Sequence, residues 1–281
     1  MRNAIPQIML NDGLMIPAIG LGTAAMNGTT GANAITNALH LGYRLIDSAF
    51  NYENEGAVGE AIRRSSIARE DIIVTSKLPG RHHRYREAVL TIQESLFRSG
   101  VDYYDIYLIH WPNPKQELFI EAWQALVDAQ KWGLIRSIGV SNFLPEHIAK
   151  LIHATGVTPS LNQVELHPFF AQEDQLMWNQ AHGIQTESWS PLGRKAGLLF
   201  ENEEIQSIAH KHHKSIAQII LRWHVQLGAL PIPKASSIER QKANLEIFDF
   251  ELSQEDMEAI KKLDRPDGRL VGQDPAEYEE F

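Results

Sequence analysis

The feature that most constrains this chain is an alternation of two kinds of segment. Eight short apolar runs, each bounded by glycine, proline or polar residues, are separated by stretches with helical periodicity. Continuous apolar runs are typical of parallel strands that are buried on both faces. The runs are candidate strands and cover residues 18–23, 44–47, 72–77, 105–111, 136–141, 160–166, 184–190 and 229–233.

Helical patterns lie between these runs, with apolar residues repeating every three to four positions. The clearest cover residues 86–100, 118–133 and 214–228, and each ends at or near a glycine. Eight strand–helix units in 281 residues predict an α/β fold, a (β/α)₈ TIM barrel in a single domain spanning residues 1–281. We expect extra helices near the C-terminus.

The segment before the first strand predicts an N-terminal β-hairpin. Its sequence, IMLNDGLMI, places Asp12 and Gly13 at a turn between two apolar arms. The competing architecture is an open doubly wound sheet, which is expected to carry a G-x-G-x-x-G motif at the first strand–helix turn. Gly20 and Gly22 are present but position 25 is alanine, so we favour the barrel.

Composition excludes several classes of function. The chain has no cysteine, which excludes disulfides, thiolate catalysis and cysteine-based zinc sites. Its formal net charge of −9 argues against nucleic acid or an anionic membrane as the main partner. No apolar run approaches the roughly 18 residues of a membrane span, and the N-terminus lacks a secretory pattern. We therefore expect a cytoplasmic protein.

Polar side chains gather at the carboxyl ends of the predicted strands, where barrel enzymes place their active sites. Asp47 ends the second strand, Lys77 ends the third, and His110 lies near the end of the fourth. Tyr52 lies in the loop after Asp47 and can reach the same end of the barrel. Each residue alone could be a helix cap, a snorkelling lysine or a packed core residue. Their coincidence in one place favours a functional site.

These four residues together could donate a proton to a carbonyl. A tyrosine hydroxyl has a pKa of about 10, and a neighbouring ammonium lowers that pKa by favouring the phenolate. Asp47 would hold the Lys77 ammonium in place, and the histidine would orient the carbonyl oxygen. Because the chain has no cysteine and no obvious metal cluster, a bound hydride carrier is the simplest source of electrons.

Several segments resemble those of the aldo-keto reductase family, in the same order along the chain. They are GYRLIDSAFNYENEGAVG, SKL, DYYDIYLIHWP, IRSIGVSNF, NQVELHP, WSPLG and IPKASSIERQKAN. The subgroup resembled contains the bacterial 2,5-diketo-gluconate reductase-like and methylglyoxal reductase-like enzymes. The resemblance implies reduction of aldehydes or ketones (α-dicarbonyls, keto sugars or small aldehydes) to alcohols with NADPH. It also implies a monomer.

The resemblance also implies roles for individual residues. Tyr52 would be the general acid, Lys77 and Asp47 would tune it, and His110 would orient the substrate. The cofactor-binding residues implied are Gly22, Thr23, Asp47, Ser141, Asn142, Gln163, Trp189, Ser190, Leu192, Gly193, Lys234, Ser236, Ser237, Arg240 and Asn244.

One part of the cofactor site is also expected on physical grounds. The segment PKASSIERQKAN reads as a strand end, a serine-rich turn and a helix start, and helix N-termini bind phosphate. Lys234 and Arg240 add positive charge there, which favours a 2′-phosphate and hence NADPH over NADH.

Three alanines depart from the family pattern. Ala235 stands where relatives usually have a serine that contacts the 2′-phosphate, and Ala243 where many have a longer side chain near the adenine. Ala24 replaces a bulky residue, which predicts a wider or more polar pocket. We expect the tail after residue 265 to fold over this pocket. The predicted substrate-pocket residues are Ala24, Met26, Phe50, Tyr52, His110 and Trp111.

Two other functions are compatible with a barrel. A Schiff-base aldolase would use Lys77 as its nucleophile, but Asp47 beside it would keep the lysine charged. A cofactor-binding regulatory protein without turnover would be expected to lack Tyr52 or His110. The motif HKHHK at residues 210–214 suggests a metal-ligand pair, but we interpret it as a solvated helix face and predict no metal site.

Overall fold

The architecture is a barrel of parallel strands wrapped by helices. A computed structural model describes residues 4–193 and 196–281 of the chain. Two short strands, β1 (Gln7–Met9) and β2 (Met15–Pro17), come first and pair antiparallel. The barrel strands follow in order and are β3 (Leu21–Gly22), β4 (Leu45–Asp47), β5 (Ile73–Leu78), β6 (Tyr104–Ile109), β7 (Ile135–Ser141), β8 (Leu161–Glu165), β9 (Gln185–Trp189) and β10 (Leu230–Pro231).

Each barrel strand pairs in parallel with the next one along the chain, from β3 to β10. The two outermost strands are joined as well, because Gly20 N donates to Pro231 O at 3.1 Å and Gly22 N donates to Pro233 O at 3.3 Å. A Cβ atom at Gly22 would lie 2.7 Å from Ile232 O, so this close approach requires glycine. The sheet therefore closes on itself, and the predicted (β/α)₈ barrel is confirmed.

Helices cover the outside of the barrel. The predicted helices over 86–100, 118–133 and 214–228 are confirmed as α3 (Tyr85–Ser99), α4 (Phe119–Lys131) and α9 (Ile216–Gln226). Gly100, with φ of +66°, ends α3 in the left-handed conformation that glycine accommodates best. The helices are α1 (Gly28–Leu41), α2 (Glu55–Arg64), α3 (Tyr85–Ser99), α4 (Phe119–Lys131), α5 (Pro145–Thr155), α6 (Glu173–Ala181), α7 (Ala196–Phe200), α8 (Glu203–His212), α9 (Ile216–Gln226), α10 (Ile238–Leu245) and α11 (Gln254–Lys261).

The predicted N-terminal hairpin closes the amino end of the barrel. Leu10, Leu14 and Ile16 pack in one apolar cluster with strand residues such as Leu45. At the hairpin turn, Asn11 Nδ2 donates to Pro159 O at 3.0 Å, just before β8 begins. With this end closed by apolar packing, the carboxyl ends of the strands are left to form a site.

The chain after β10 continues through α10 and α11, which agrees with the expected extra helices near the C-terminus. The tail that follows returns to the carboxyl ends of the strands, where Leu270 N donates to Glu165 Oε1 at 2.7 Å. In the part of the chain that the structure describes, no helix has both the length and the apolar character needed to cross a bilayer.

Candidate active site

A cavity of about 620 Å³ opens at the carboxyl ends of the barrel strands. Strand ends and the C-terminal tail form its wall. The predicted catalytic and substrate residues that line it are Ala24, Asp47, Tyr52, His110 and Trp111. The predicted cofactor residues that line it are Gly22, Thr23, Asp47, Ser141, Asn142, Gln163, Trp189, Ser190, Leu192, Gly193 and Lys234.

Lys77 lies just behind the cavity wall, fully buried against Asp47. Its Nζ atom is 2.6 Å from Asp47 Oδ2 and 2.8 Å from Oδ1, and it donates to Ser48 O at 2.7 Å. Burial lowers the pKa of Lys77, but the Asp47 carboxylate, together with the nearby Tyr52 and Glu187, outweighs that effect, and the net shift of the pKa is upward. The ammonium therefore stays charged inside the protein.

Tyr52 lies directly above this ion pair. It ends a short 3₁₀ turn, Phe50–Tyr52, that follows β4. The Lys77 Nζ atom is 5.1 Å from the centre of the Tyr52 ring, and the His110 ring meets Tyr52 edge-on with centroids 5.9 Å apart. The four residues predicted to be catalytic are thus brought together by β4, β5 and β6.

Hydrogen bonds fix the loop that carries Tyr52. Ser48 Oγ donates to Asn54 Oδ1 at 2.6 Å, and Asn54 Nδ2 donates to Thr23 O at 2.7 Å. Thr23 Oγ1 in turn donates to Asp47 O at 2.8 Å. These side chains are buried, so the segment DSAFNYENE is held in place from both of its ends.

A second buried acid is connected to Asp47 through Gln163. The Gln163 amide nitrogen donates to Asp47 Oδ2 at 2.9 Å and to Glu187 Oε2 at 2.5 Å. Burial and the nearby Asp47 carboxylate raise the pKa of Glu187 to about 8. Sequence reasoning missed this residue, although an acid within the apolar run of β9 was a usable signal.

Trp189 is oriented by the end of β7. Its indole nitrogen donates to Asn142 Oδ1 at 2.8 Å, while Asn142 Nδ2 donates to His110 O at 2.9 Å. Asn142 and Ser190 have φ of +62° and +50°, a left-handed conformation that non-glycine residues rarely adopt. Strained backbone of this kind is concentrated at functional sites.

Among the predicted phosphate-binding residues, Lys234 lines the cavity, whereas Ser236, Ser237 and Arg240 do not and lie on the turn and helix that follow. Arg240 Nη2 donates to Ser236 Oγ at 3.3 Å. Ser237 caps α10 by accepting a hydrogen bond from Arg240 N at 3.4 Å. Asn244 is instead buried, 4% exposed, and its side chain bonds Tyr43, so it already has an internal partner.

Two predicted pocket residues lie elsewhere. Met26 is 3% exposed and packs in the apolar layer between strands and helices. Phe50 faces away from the cavity, with the Arg98 guanidinium 4.0 Å from its ring centre. Met26 lies in an irregular segment and Phe50 begins a single 3₁₀ turn, so proximity in sequence to Ala24 and Tyr52 does not predict which side chains reach the cavity.

The C-terminal tail forms one wall of the cavity, as the sequence led us to expect. Gln273, Tyr278 and Glu280 line the cavity, and the Tyr278 ring meets Trp111 at 4.6 Å between centroids. None of these three tail residues was identified individually from the sequence. The described residues contain no group of three or more histidine, aspartate or glutamate side chains that could hold a metal ion.

Comparisons with known proteins agree with this geometry. The model of the aldo/keto reductase family matches residues 18–265. The chain is 48% identical to 2,5-diketo-D-gluconic acid reductase B of Corynebacterium sp. (strain SHS752001), over 99% of both proteins. It is 43% identical to methylglyoxal reductase DkgA of Escherichia coli (strain K12), over 96% of this chain and 97% of that protein. Among solved structures, a Gox0644 mutant in complex with NADPH is 40% identical and superimposes with a TM-score of 0.92, covering 97% of this chain and 98% of the other.

Proposed function

The chain belongs to the aldo/keto reductase family and is an NADP-dependent oxidoreductase, and we propose that it reduces small carbonyl compounds to alcohols with Tyr52 as the proton donor. The observation that carries this proposal is the buried Lys77–Asp47 ion pair beneath Tyr52. His110 lines the same cavity. A buried ion pair is a costly way to stabilise a fold, so its place beside a cavity favours a chemical role.

Each of the four side chains has its own role in carbonyl reduction. NADPH held by Trp189, Asn142 and Lys234 would supply the hydride that the carbonyl carbon takes up. Tyr52 gives its hydroxyl proton to the carbonyl oxygen as negative charge develops there, which completes the alcohol. The Lys77 ammonium favours release of that proton, and Asp47 keeps the ammonium in place. His110 donates to the same oxygen and orients it.

The cavity has the groups that a nicotinamide dinucleotide requires. Trp189 offers a flat indole that Asn142 holds at the wall. Beyond it, the chain turns sharply through Ser190 and Gly193, with φ of +50° and +69°, and both residues line the cavity. We propose that this strip follows the pyrophosphate.

Positive charge marks the adenosine end of the strip. Lys234 and Arg240 are exposed beside the start of α10, whose N-terminal N–H groups favour an anion. We propose that Lys234, Ser236 and Arg240 hold the 2′-phosphate that distinguishes NADPH from NADH. The Asn244 side chain already bonds Tyr43, so we propose that Asn244 supports the phosphate site indirectly, by holding α10 in place.

We propose dicarbonyl compounds and keto sugar acids as the substrate class. Two relatives over nearly the full length of the chain are named for 2,5-diketo-D-gluconic acid and for methylglyoxal. Ala24 at the mouth is small and exposed, which leaves room for a polar substrate. We expect the protein to act as a monomer in the cytoplasm.

An assay of cofactor oxidation over a panel of carbonyl compounds tests this function. The panel contains methylglyoxal, 2,5-diketo-D-gluconate, an aliphatic aldehyde and an aromatic aldehyde, each with NADPH and with NADH. We expect NADPH oxidation that is fastest with the dicarbonyl compounds. Tight NADPH binding without turnover of any compound would contradict the proposal and favour the regulatory function that the sequence left open.

A further inference from the structure

Glu280, the penultimate residue, places its carboxylate against the ring of His110. The Glu280 Oε1 atom is 2.7 Å from His110 Nδ1, and the two side chains are only 9% and 13% exposed. Nδ1 makes no hydrogen bond of ordinary geometry, so the contact is a close approach of a carboxylate oxygen to the ring nitrogen. The tail thereby touches the proposed catalytic machinery itself.

Two hydrogen-bond donors hold the carboxylate in this position. Asn51 Nδ2 donates to Oε1 at 2.8 Å, and the backbone N–H of Gly80 donates to Oε2 at 2.8 Å. Burial raises the pKa of Glu280, but the His110 ring and these hydrogen bonds outweigh it, and the net shift of the pKa is downward. The group at this position is therefore an ionised carboxylate.

The backbone of Glu280 is fixed independently of its side chain. Asn113 Nδ2 donates to Glu280 O at 2.8 Å, and Glu280 N donates to Asn113 Oδ1 at 2.9 Å. Asn113 is itself fully buried. This reciprocal pair locks the end of the chain to the loop after β6, which also carries His110.

The chemistry of a carboxylate determines which ring nitrogen carries a proton. An ionised carboxylate only accepts hydrogen bonds, so a nitrogen 2.7 Å from it must carry a hydrogen. Nδ1 of His110 is buried in this contact, which leaves Nε2 as the nitrogen available to a substrate in the cavity. The contact therefore fixes the orientation of the ring and the direction in which Nε2 faces the cavity.

We propose that Glu280 is a positioning residue for carbonyl reduction, which holds the Nδ1 edge of His110 and so fixes the orientation in which Nε2 faces the carbonyl oxygen. This inference rests on the proposed function. It adds a residue at the end of the chain to the four residues at the strand ends. Its closest analogue in general enzymology is a carboxylate that fixes the tautomer and orientation of a catalytic histidine.

A double-mutant cycle with His110 tests this role. Glu280→Gln keeps the shape of the side chain but removes its charge and one acceptor oxygen. The matched control is Glu279→Gln on the same tail, whose carboxylate accepts from Lys115 N at 2.7 Å and Gln116 Nε2 at 2.9 Å. Activity is measured with methylglyoxal at saturating NADPH, and thermal unfolding is followed for every variant.

We expect Glu280→Gln to lower kcat about tenfold or more, while Glu279→Gln stays within about twofold of the wild type. In a His110→Asn background, Glu280→Gln should cause no further loss, because its effect passes through the histidine. The inference is overturned by equal losses in the two glutamate variants, or by the same fold-loss with and without His110.

A readout that does not depend on turnover separates this inference from the proposed function. Long-range proton–nitrogen NMR of the His110 ring, assigned with His110→Asn, reports which nitrogen is protonated. We expect a proton on Nδ1 in the wild type and a smaller fraction of rings protonated on Nδ1 in Glu280→Gln. A wild-type ring protonated only on Nε2 overturns the inference even if carbonyl reduction is observed. Absence of any carbonyl reduction would instead refute the proposed function.

Discussion

Lys77 Nζ lies 2.6 Å from Asp47 Oδ2, and both side chains are almost completely shielded from solvent. The two residues come from neighbouring parallel strands, β4 and β5, at the end of the barrel where the cavity opens. Removing two charges from water is expensive, and their attraction repays that penalty only while both partners are present. The pair is therefore a sensitive point for stability as well as for activity.

Breaking this pair should destabilise the protein strongly. Lys77→Met leaves the Asp47 carboxylate buried and unpaired, so we expect a loss of about 3–5 kcal/mol in the free energy of unfolding. Asp47→Asn combined with Lys77→Met removes both charges and should recover much of that loss. Urea denaturation measures both variants.

Glu60→Gln is the control, because Glu60 pairs with Arg63 and Arg64 on the surface, where water screens the charges, and this variant should unfold at nearly the same urea concentration as the wild type. A Lys77→Met variant as stable as the wild type would contradict this prediction.

Glu187 should make stability depend on pH. Its pKa is about 8 in the folded protein against an ordinary value of 4.5, so the folded state binds this proton more tightly than the unfolded state does. Its contribution to stability is fully present below the ordinary pKa and is lost as the pH rises through about 8.

Glu187→Gln removes this titration while preserving the shape of the side chain. The melting temperature of the variant minus that of the wild type should therefore increase from about pH 5 to about pH 9. Taking the difference cancels groups that titrate in both proteins. A difference that does not change with pH would show that Glu187 ionises in the folded state as it does in the unfolded state.

Removing the positive charge beside α10 should change the choice of cofactor. We expect Lys234→Met combined with Arg240→Ala to raise the dissociation constant of NADPH about 10- to 100-fold. The dissociation constant of NADH should rise about twofold or less, because only NADPH carries the 2′-phosphate. Fluorescence titration gives both dissociation constants. Lys242→Ala, on the same helix beyond its first turn, is the matched control. Similar losses for the two cofactors would refute the phosphate assignment.

Tyr278 should influence which carbonyl compounds are preferred. Its ring packs on Trp111 and lines the cavity, so Tyr278→Ala enlarges the pocket on the side of the tail. We expect kcat/KM for an aromatic aldehyde relative to methylglyoxal to rise about tenfold. An unchanged ratio would mean that the tail wall lies outside the substrate pocket.

The part of the site that lies on the strands was predictable, because a parallel barrel places the carboxyl ends of all its strands at the same end of the barrel. Asp47, Lys77, His110 and Trp189 could be grouped from the sequence for that reason alone. The predicted hairpin was equally clear, because an Asp-Gly turn between apolar arms has few alternatives.

The tail residues could not be identified in this way. Glu280 meets Gly80 from 200 positions away in the chain, and residues 265–281 show no periodicity that would fix their path. Their position depends on long-range contacts such as the Asn113 pair. The positions of Met26 and Phe50 could not be predicted either, since irregular segments and single turns have no repeat that fixes where a side chain points.

The rate of NADPH-dependent methylglyoxal reduction by Tyr52→Phe, compared with the wild type, tests the proposed mechanism most directly. Phenylalanine retains the ring that lies 5.9 Å from His110 and 5.1 Å from the Lys77 Nζ atom, and removes only the hydroxyl. We predict a loss of about 10²–10⁴-fold in kcat with NADPH affinity unchanged. A Tyr52→Phe variant that reduces methylglyoxal as fast as the wild type would contradict Tyr52 as the proton donor.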